Sequence, residues 1–234
     1  MTEFLKIIPT MYINLLSRTD RKDHVESELK KLGITNPTRF NAIKMENGAL
    51  GCSMSHLKCV ELAKKNNYEY VFICEDDITF LNKDLFKNQL NNFLSANKSW
   101  DVILIAGNNM GSIIPISNSA VKVSNCNAAT GYLVRNTYFD TLIQNFQEGI
   151  NKLTAEPHKH QLYAIDQYWS KLQKKDNWIL IIPLTVTQKE GHSDIEKTHT
   201  NYNYLMLSIH KKHGNIVKPQ INNNNNKFKS MKFI

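Results

Sequence analysis

No stretch of this 234-residue chain approaches the roughly 20 consecutive apolar residues that cross a bilayer. Its first residues, Met1-Thr2-Glu3-Phe4-Leu5-Lys6, lack a charged segment followed by a long apolar one. A cytoplasmic or otherwise soluble protein without a secretory leader is therefore expected, with peripheral membrane contact left open. No two of the four cysteines, Cys52, Cys59, Cys74 and Cys126, form a CxxC pair. That argues against a cysteine-rich zinc cage or a thioredoxin-type motif, and all four are expected as reduced thiols. Neither GxxxxGK[ST] nor GxGxxG occurs, so a bound nucleotide would be held by neither a P-loop nor a standard Rossmann fingerprint. There is no internal repeat. No acid follows Glu196, whereas seven lysines lie between Lys197 and Lys232.

The formal net charge of +8 favours anionic partners such as nucleotides, acidic glycans or membrane surfaces. Much of the excess lies in the basic C-terminal end, which weakens a nucleic-acid reading and is equally well explained as a solubilising tail. A hydrophobic content of 41% supports a real core and excludes global disorder. The run Asn222 to Asn226 is low-complexity. One folded domain over 1–213 and a flexible basic tail over 214–234 are therefore expected.

Alternating strand and helix patterns fill the first half. Phe4 to Leu16 reads as a strand, with Pro9 near its start. A helix capped by Thr19 runs to Gly33 and presents Val25, Leu29 and Leu32 on one face. A short strand lies near Phe40 to Ile43. A turn at Gly51 to His56 leads into a helix starting at Ser53 or Ser55. Tyr70 to Cys74 is a buried strand, followed by a helix capped by Asn82 and a strand from Trp100 to Ala106. The second half is less regular. It offers a hairpin or loop over 111–127, a strand at Ala129 to Val134, and a helix from Tyr138 to Gly149. A helix around Leu162 to Leu172, a strand at Trp178 to Ile182 and a last helix near Tyr204 follow. This order predicts an α/β fold with a largely parallel sheet and helical crossovers, ligands binding beyond the carboxyl ends of the strands.

Three consecutive acids, Glu75-Asp76-Asp77, stand at such an end. Adjacent carboxylates repel, at roughly 3 kcal/mol for a pair ~5 Å apart in an effective dielectric of ~20, and a bound divalent cation reverses the penalty. If the strand stays extended, Glu75 and Asp77 share one face, about 6–7 Å apart, and Asp76 faces the other. Such a pair can hold Mg²⁺ or Mn²⁺ beside a phosphate. The alternative is an acidic turn with helix-capping carboxylates. Arg18 and Arg21 follow the first strand, where they can meet phosphate or base, or simply be solvated. The Gly51 to His56 turn can offer free N–H groups and hydroxyls to an anion or ribose, or serve as a cap with a satisfied histidine. His158 and His160 form only a weak H-x-H.

The blocks Tyr12-Ile13-Asn14-Leu15 with Arg18 and Arg21, Gly51-Cys52, Ser55-His56, Glu75-Asp76-Asp77, Ala129-Thr130-Gly131-Tyr132-Leu133, Asp166, and Pro183-Leu184 with Gln188 and Ser193-Asp194-Ile195 occur in order. Together they resemble glycosyltransferase family 25, which includes lipopolysaccharide-modifying transferases and collagen galactosyltransferases. Cys74 departs from the aliphatic residue usual in the family. The resemblance implies a GT-A fold with a nucleotide-sugar half (1–107) and an acceptor half (108–213). It implies a UDP-sugar donor, a divalent metal, usually Mn²⁺, and transfer of glucose or galactose to a hydroxyl on a glycan or hydroxylated protein, with inversion.

By the same resemblance, Glu75 and Asp77 hold the metal and His192 completes the shell. Asn14, Arg18, Arg21, Asn41, Ala42, Gly51, Ser55, His56, Asp76, Gln188, Ser193 and Asp194 line the donor. Asp166 is the base, and Tyr132 or Trp169 can stack on a sugar. A metal-dependent phosphohydrolase or nuclease would use the same acids but recruit more Asp and His ligands. An inactive nucleotide-sugar-binding module of the same fold is the third reading.

Overall fold

The computed structural model describes residues 4–96 and 98–209. The basic segment 214–234, with its asparagine run, lies outside the described residues. In place of one strand from Phe4, a short helix α1 (Phe4–Ile7) precedes strand β1 (Thr10–Asn14). Pro9 sits between them, without an N–H for either element's hydrogen bonds. Helix α2 (Thr19–Leu32) buries Val25, Leu29 and Leu32 as their spacing predicts. Gly33 ends it at φ 90°, with the Ile34 N–H returning to the Leu29 carbonyl. Strand β2 (Thr38–Asn41) follows, then helix α3 (Gly48–Lys65). Asn47, whose side chain accepts from the Leu50 N–H, caps α3. The helix thus starts before the expected serines, and Gly51 to His56 lie inside it.

Strand β3 (Tyr70–Glu75), a turn at Asp76-Asp77 and strand β4 (Ile78–Phe80) come next, then helix α4 (Lys83–Ser95) with the expected Asn82 cap. Five short strands follow: β5 (Val102–Leu104), β6 (Asn108–Asn109), β7 (Ile113–Ser117), β8 (Ala120–Val123) and β9 (Cys126–Asn127). Strand β10 (Gly131–Arg135) leads to helix α5 (Phe139–Ala155). Helix α5 runs through Gly149, where a stop was expected. A Cβ there would lie 3.1 Å from the Tyr168 ring, so this glycine serves packing rather than termination. The expected helix at 162–172 is broken into α6 (His160–Tyr163), α7 (Ile165–Tyr168) and α8 (Ser170–Gln173). Strands β11 (Trp178–Ile181), β12 (Val186–Gln188), β13 (Gly191–Ser193) and β14 (Thr198–Thr200) and helix α9 (Asn203–Met206) complete the described chain.

The main sheet has the order β2-β1-β3-β10-β5-β11-β8-β7. Strands β2, β1, β3, β5, β11 and β7 run one way; β10 and β8 run the other. Strands from both sides of residue 107 interleave, because β10 separates β3 from β5. Side chains alternate across the sheet into two apolar layers. Val71, Ile73, Leu104, Tyr132 and Trp178 join Leu57, Val60 and Leu142 of α3 and α5 on one face. Phe72, Cys74, Ile103, Leu133 and Ile179 meet Leu29, Phe86 and Phe93 of α2 and α4 on the other. Burial on both faces is why these strands read as continuous apolar runs rather than alternating ones.

Candidate functional site

Asn14, Asn41 and Glu75 are the last residues of three neighbouring parallel strands, so they share one edge of the sheet. Strand β10 runs the opposite way and begins at that edge, where the Glu75 N–H donates to the Thr130 carbonyl at 2.9 Å. Strand β3 stops at Glu75, and Asp76 and Asp77 turn the chain back into β4. An extended run that would set Glu75 and Asp77 on one face and Asp76 on the other is therefore absent. Instead, Nη1 of Arg21 lies 3.1 Å from both Asp76 Oδ1 and Asp77 Oδ2. Asp76 also accepts from the Asn14 amide at 2.7 Å, and Arg39 donates to the Asn14 side-chain oxygen at 2.9 Å.

Strand β12 pairs antiparallel with β4 and clamps the turn from the other side. The Lys189 N–H donates to the Asp77 carbonyl at 2.6 Å, and the Gln188 amide donates to Glu75 Oε2 at 3.1 Å. Asp77 Oδ1 is buried with no hydrogen-bond partner among the described residues. Burial, and then the charge of Glu75, push the Asp77 carboxyl up to about 8. Burial also raises Asp76 against the pull of Asn14 and Arg21. For Glu75, burial is outweighed by His56, Cys52 and Gln188, leaving its carboxyl below the ordinary value.

Beneath Glu75 lies one turn of α3. Cys52 Sγ lies 3.5 Å from Glu75 Oε1, and so does His56 Nε2. The other His56 nitrogen is 2.9 Å from the Tyr132 hydroxyl. Asp166, at the start of α7, accepts from the Ala128 N–H at 3.0 Å. Ala128 has φ 76°, a left-handed conformation uncommon for a residue with a Cβ, and the carboxylate holds it there. Burial raises the Asp166 carboxyl; the Ala128 N–H opposes this, and the charge of Glu75 adds to it. Beyond the acid turn, Arg18 pairs with Asp20 at 3.0 Å and with Asp194, which joins the β13 side to the α2 side.

A family model described as glycosyltransferase family 25 (LPS biosynthesis protein) matches residues 41–169, more than half of the chain. The chain belongs to glycosyltransferase family 25. A Haemophilus influenzae protein named "Putative glycosyltransferase" is 41% identical over 56 residues. That match covers 24% of this chain and 20% of the relative, so the chain spans about a fifth of the curated relative it matches. Solved structures similar to it include a mannose-1-phosphate geranyltransferase from Thermus thermophilus, at TM-score 0.46 and 11% identity over 75% of this chain and 73% of that one. A glycosyltransferase involved in glycosylation of the major capsid of PBCV-1 aligns at TM-score 0.42 and 11% identity, over 75% of this chain and 92% of that one.

The α/β fold class expected of a family 25 chain is present. The structure brings Asn14, Arg21, Glu75, Asp76, Asp77 and Gln188 together at one strand edge, and links Arg18 to Asp194 beside it. Asn41 is exposed there, and the Ala42 N–H donates to the Asn14 carbonyl.

Several expected contacts do not form. Gly51, Ser55 and His56 do not line a nucleotide surface. A Cβ on Gly51 would lie 2.4 Å from the Ile43 carbonyl oxygen, and the Ser55 hydroxyl accepts from the Ile43 N–H and donates to the Gly51 carbonyl. These residues dock α3 on the chain after β2, and His56 is wholly buried under Glu75. Asn14 is buried as well, its side chain spent on Arg18, Arg39 and Asp76. The His192 ring is exposed, and the residue meets the acid turn through its carbonyl, which accepts from Arg21 at 2.8 Å. Ser193 accepts from the Glu196 N–H. Tyr132 and Trp169 are fully buried and offer no face to a sugar. Arg39 is a member of the site that sequence reasoning misses; its place one residue before Phe40 in an edge strand is the only signal for it.

Proposed function

We propose that this family 25 chain transfers a hexose, glucose or galactose, from a UDP-sugar to a hydroxyl acceptor on a glycan or hydroxylated protein, with inversion. The observation that carries the reading is the buried Asp77 Oδ1, without a partner among the described residues, at the carboxyl edge of the sheet in a chain of this family. A carboxyl oxygen buried without a partner is costly, and a cation there would displace the proton that burial keeps on Asp77. Asp77 and Glu75 would hold Mn²⁺ or Mg²⁺, hard ions that take carboxylate oxygens and retain water. The exposed His192 ring does not converge on them. When bound, the cation would neutralise charge gathering on the departing diphosphate.

The remaining steps belong to the chain. Arg21 holds the two turn carboxylates in place. Arg18, exposed Asn41 and Asp194 surround the donor. Asp166, with its raised carboxyl, takes the acceptor hydroxyl proton as the acceptor oxygen bonds to the anomeric carbon and the bond to UDP breaks. The test is UDP release from UDP-glucose and UDP-galactose with and without Mn²⁺, alongside Asp77→Asn. Metal-dependent release that the variant loses supports the reading. No release from either donor, or full activity in the variant, overturns it.

A further inference from the structure

Among the described residues, the metal-ligating side chains that converge as a group of three are Cys52, His56 and Glu75, whose ligand atoms all lie within 4.8 Å of one another. We propose that they form a second site, sharing Glu75 with the hard-cation position, for a borderline-soft divalent cation, with Zn²⁺ as its representative. The site is not the hard-cation position at Asp77, and the inference does not depend on the proposed transfer reaction.

Three observations carry it. First, His56 is fully buried, and its Nε2 has no hydrogen-bond partner among the described residues. That nitrogen points at Glu75 Oε1 across 3.5 Å, too far for a good hydrogen bond and wide enough for an ion between them. Second, two of the three ligand separations suit a tetrahedral ion, and the third, Sγ to Nε2, is within 4.8 Å. With ~2.3 Å to sulfur and ~2.0–2.1 Å to nitrogen and oxygen, adjacent ligand atoms stand ~3.3–3.6 Å apart. The Sγ–Oε1 and Nε2–Oε1 separations are both 3.5 Å.

Third, the atoms that would not bind the ion are already anchored. The Tyr132 hydroxyl holds the far nitrogen of His56, and the Gln188 amide holds the far oxygen of Glu75. Outer partners of this kind fix a histidine's tautomer and a carboxylate's direction at metal sites. Cys52 and His56 sit four residues apart on one helical face, so α3 alone supplies two ligands and β3 the third.

The donor set also selects the ion. A thiolate favours zinc over magnesium or manganese, and three protein ligands leave a fourth position open. On binding, the S–H bond breaks, the sulfur–metal bond forms and the proton passes to solvent. One thiolate, one carboxylate and one neutral imidazole then balance a dication, so the partly buried complex carries no net charge. Glu75 is shared with the proposed hard-cation position, so the two ions would compete for it.

The test uses metal-free full-length protein titrated with Co²⁺, which reports sulfur ligation directly. One equivalent should produce a near-ultraviolet thiolate-to-cobalt charge-transfer band, and Zn²⁺ should abolish it. Cys52→Ser, which keeps a donor to Glu75, should lose the band while keeping its circular dichroism; Cys59→Ser should keep the band. A wild type without the band, or a folded Cys52→Ser that retains it, overturns the site. Should Cys52→Ser fail to fold, X-ray absorption of the zinc-loaded wild type decides. One sulfur at ~2.3 Å supports the site, and a shell of oxygen and nitrogen alone overturns it.

Discussion

Arg21 lies 3.1 Å from Asp77, and the nitrogen that makes this contact is equally close to Asp76. One guanidinium thus holds two acid side chains that are only 14% and 10% exposed. Arg21→Ala leaves both acids without that partner and removes the donor to the His192 carbonyl. Breaking a fully buried pair costs ~3–5 kcal/mol, and partial exposure lowers the expected loss to about 2 kcal/mol in metal-free protein. Urea denaturation checks it; a change below ~0.5 kcal/mol would mean that solvent already screens the turn.

The Asp77 carboxyl sets a pH dependence with a definite sign. Raised to about 8 in the fold, it stays protonated while the unfolded chain ionises near its ordinary value of 3.8. Between those values the unfolded state binds fewer protons, so stability falls as pH rises from about 4 to 8. Asp77→Asn removes that contribution. Metal-free melting temperatures, measured across the window for both proteins, should diverge in favour of the variant as pH rises. Parallel curves would show that Asp77 titrates normally.

Much of this arrangement is legible in the sequence because local signals and tertiary needs agree. The apolar run before Glu75 is a central strand, Gly33 ends α2, and Asn82 caps α4. The failures share a cause. Asn47 caps α3 upstream of the serines that look like its start, so a supposed ligand-binding turn is helix interior. Whether the backbone stays extended through Asp77 depends on β4 finding β12, more than a hundred residues away in the chain. The Cys52–His56 spacing is visible, but nothing local says that Glu75 lies against that face.

Gly51 offers a direct check on the corrected role of that segment. Its missing Cβ makes room for the Ile43 carbonyl, at 2.4 Å from where a Cβ would stand. Gly51→Ala must push α3 away from the backbone after β2, at an overpacking cost of ~1–3 kcal/mol that outweighs alanine's better helix propensity of ~1 kcal/mol. A lowered urea midpoint is expected. A variant as stable as wild type would show that this contact yields without strain.

Asp166 separates a chemical from a structural role more cleanly, because its carboxylate accepts the Ala128 N–H. Asp166→Asn keeps a side-chain oxygen for that bond but cannot take up a proton, so the fold should hold while turnover drops ~10²–10⁴-fold. Asp166→Ala loses both functions. Removing the acceptor should also cost ~1–3 kcal/mol of stability, since the Ala128 N–H is held in a left-handed backbone. Comparing UDP release and urea midpoints for the two variants tests the assignment. If Asp166→Asn turns over at the wild-type rate, the carboxylate holds Ala128 and another group takes the proton.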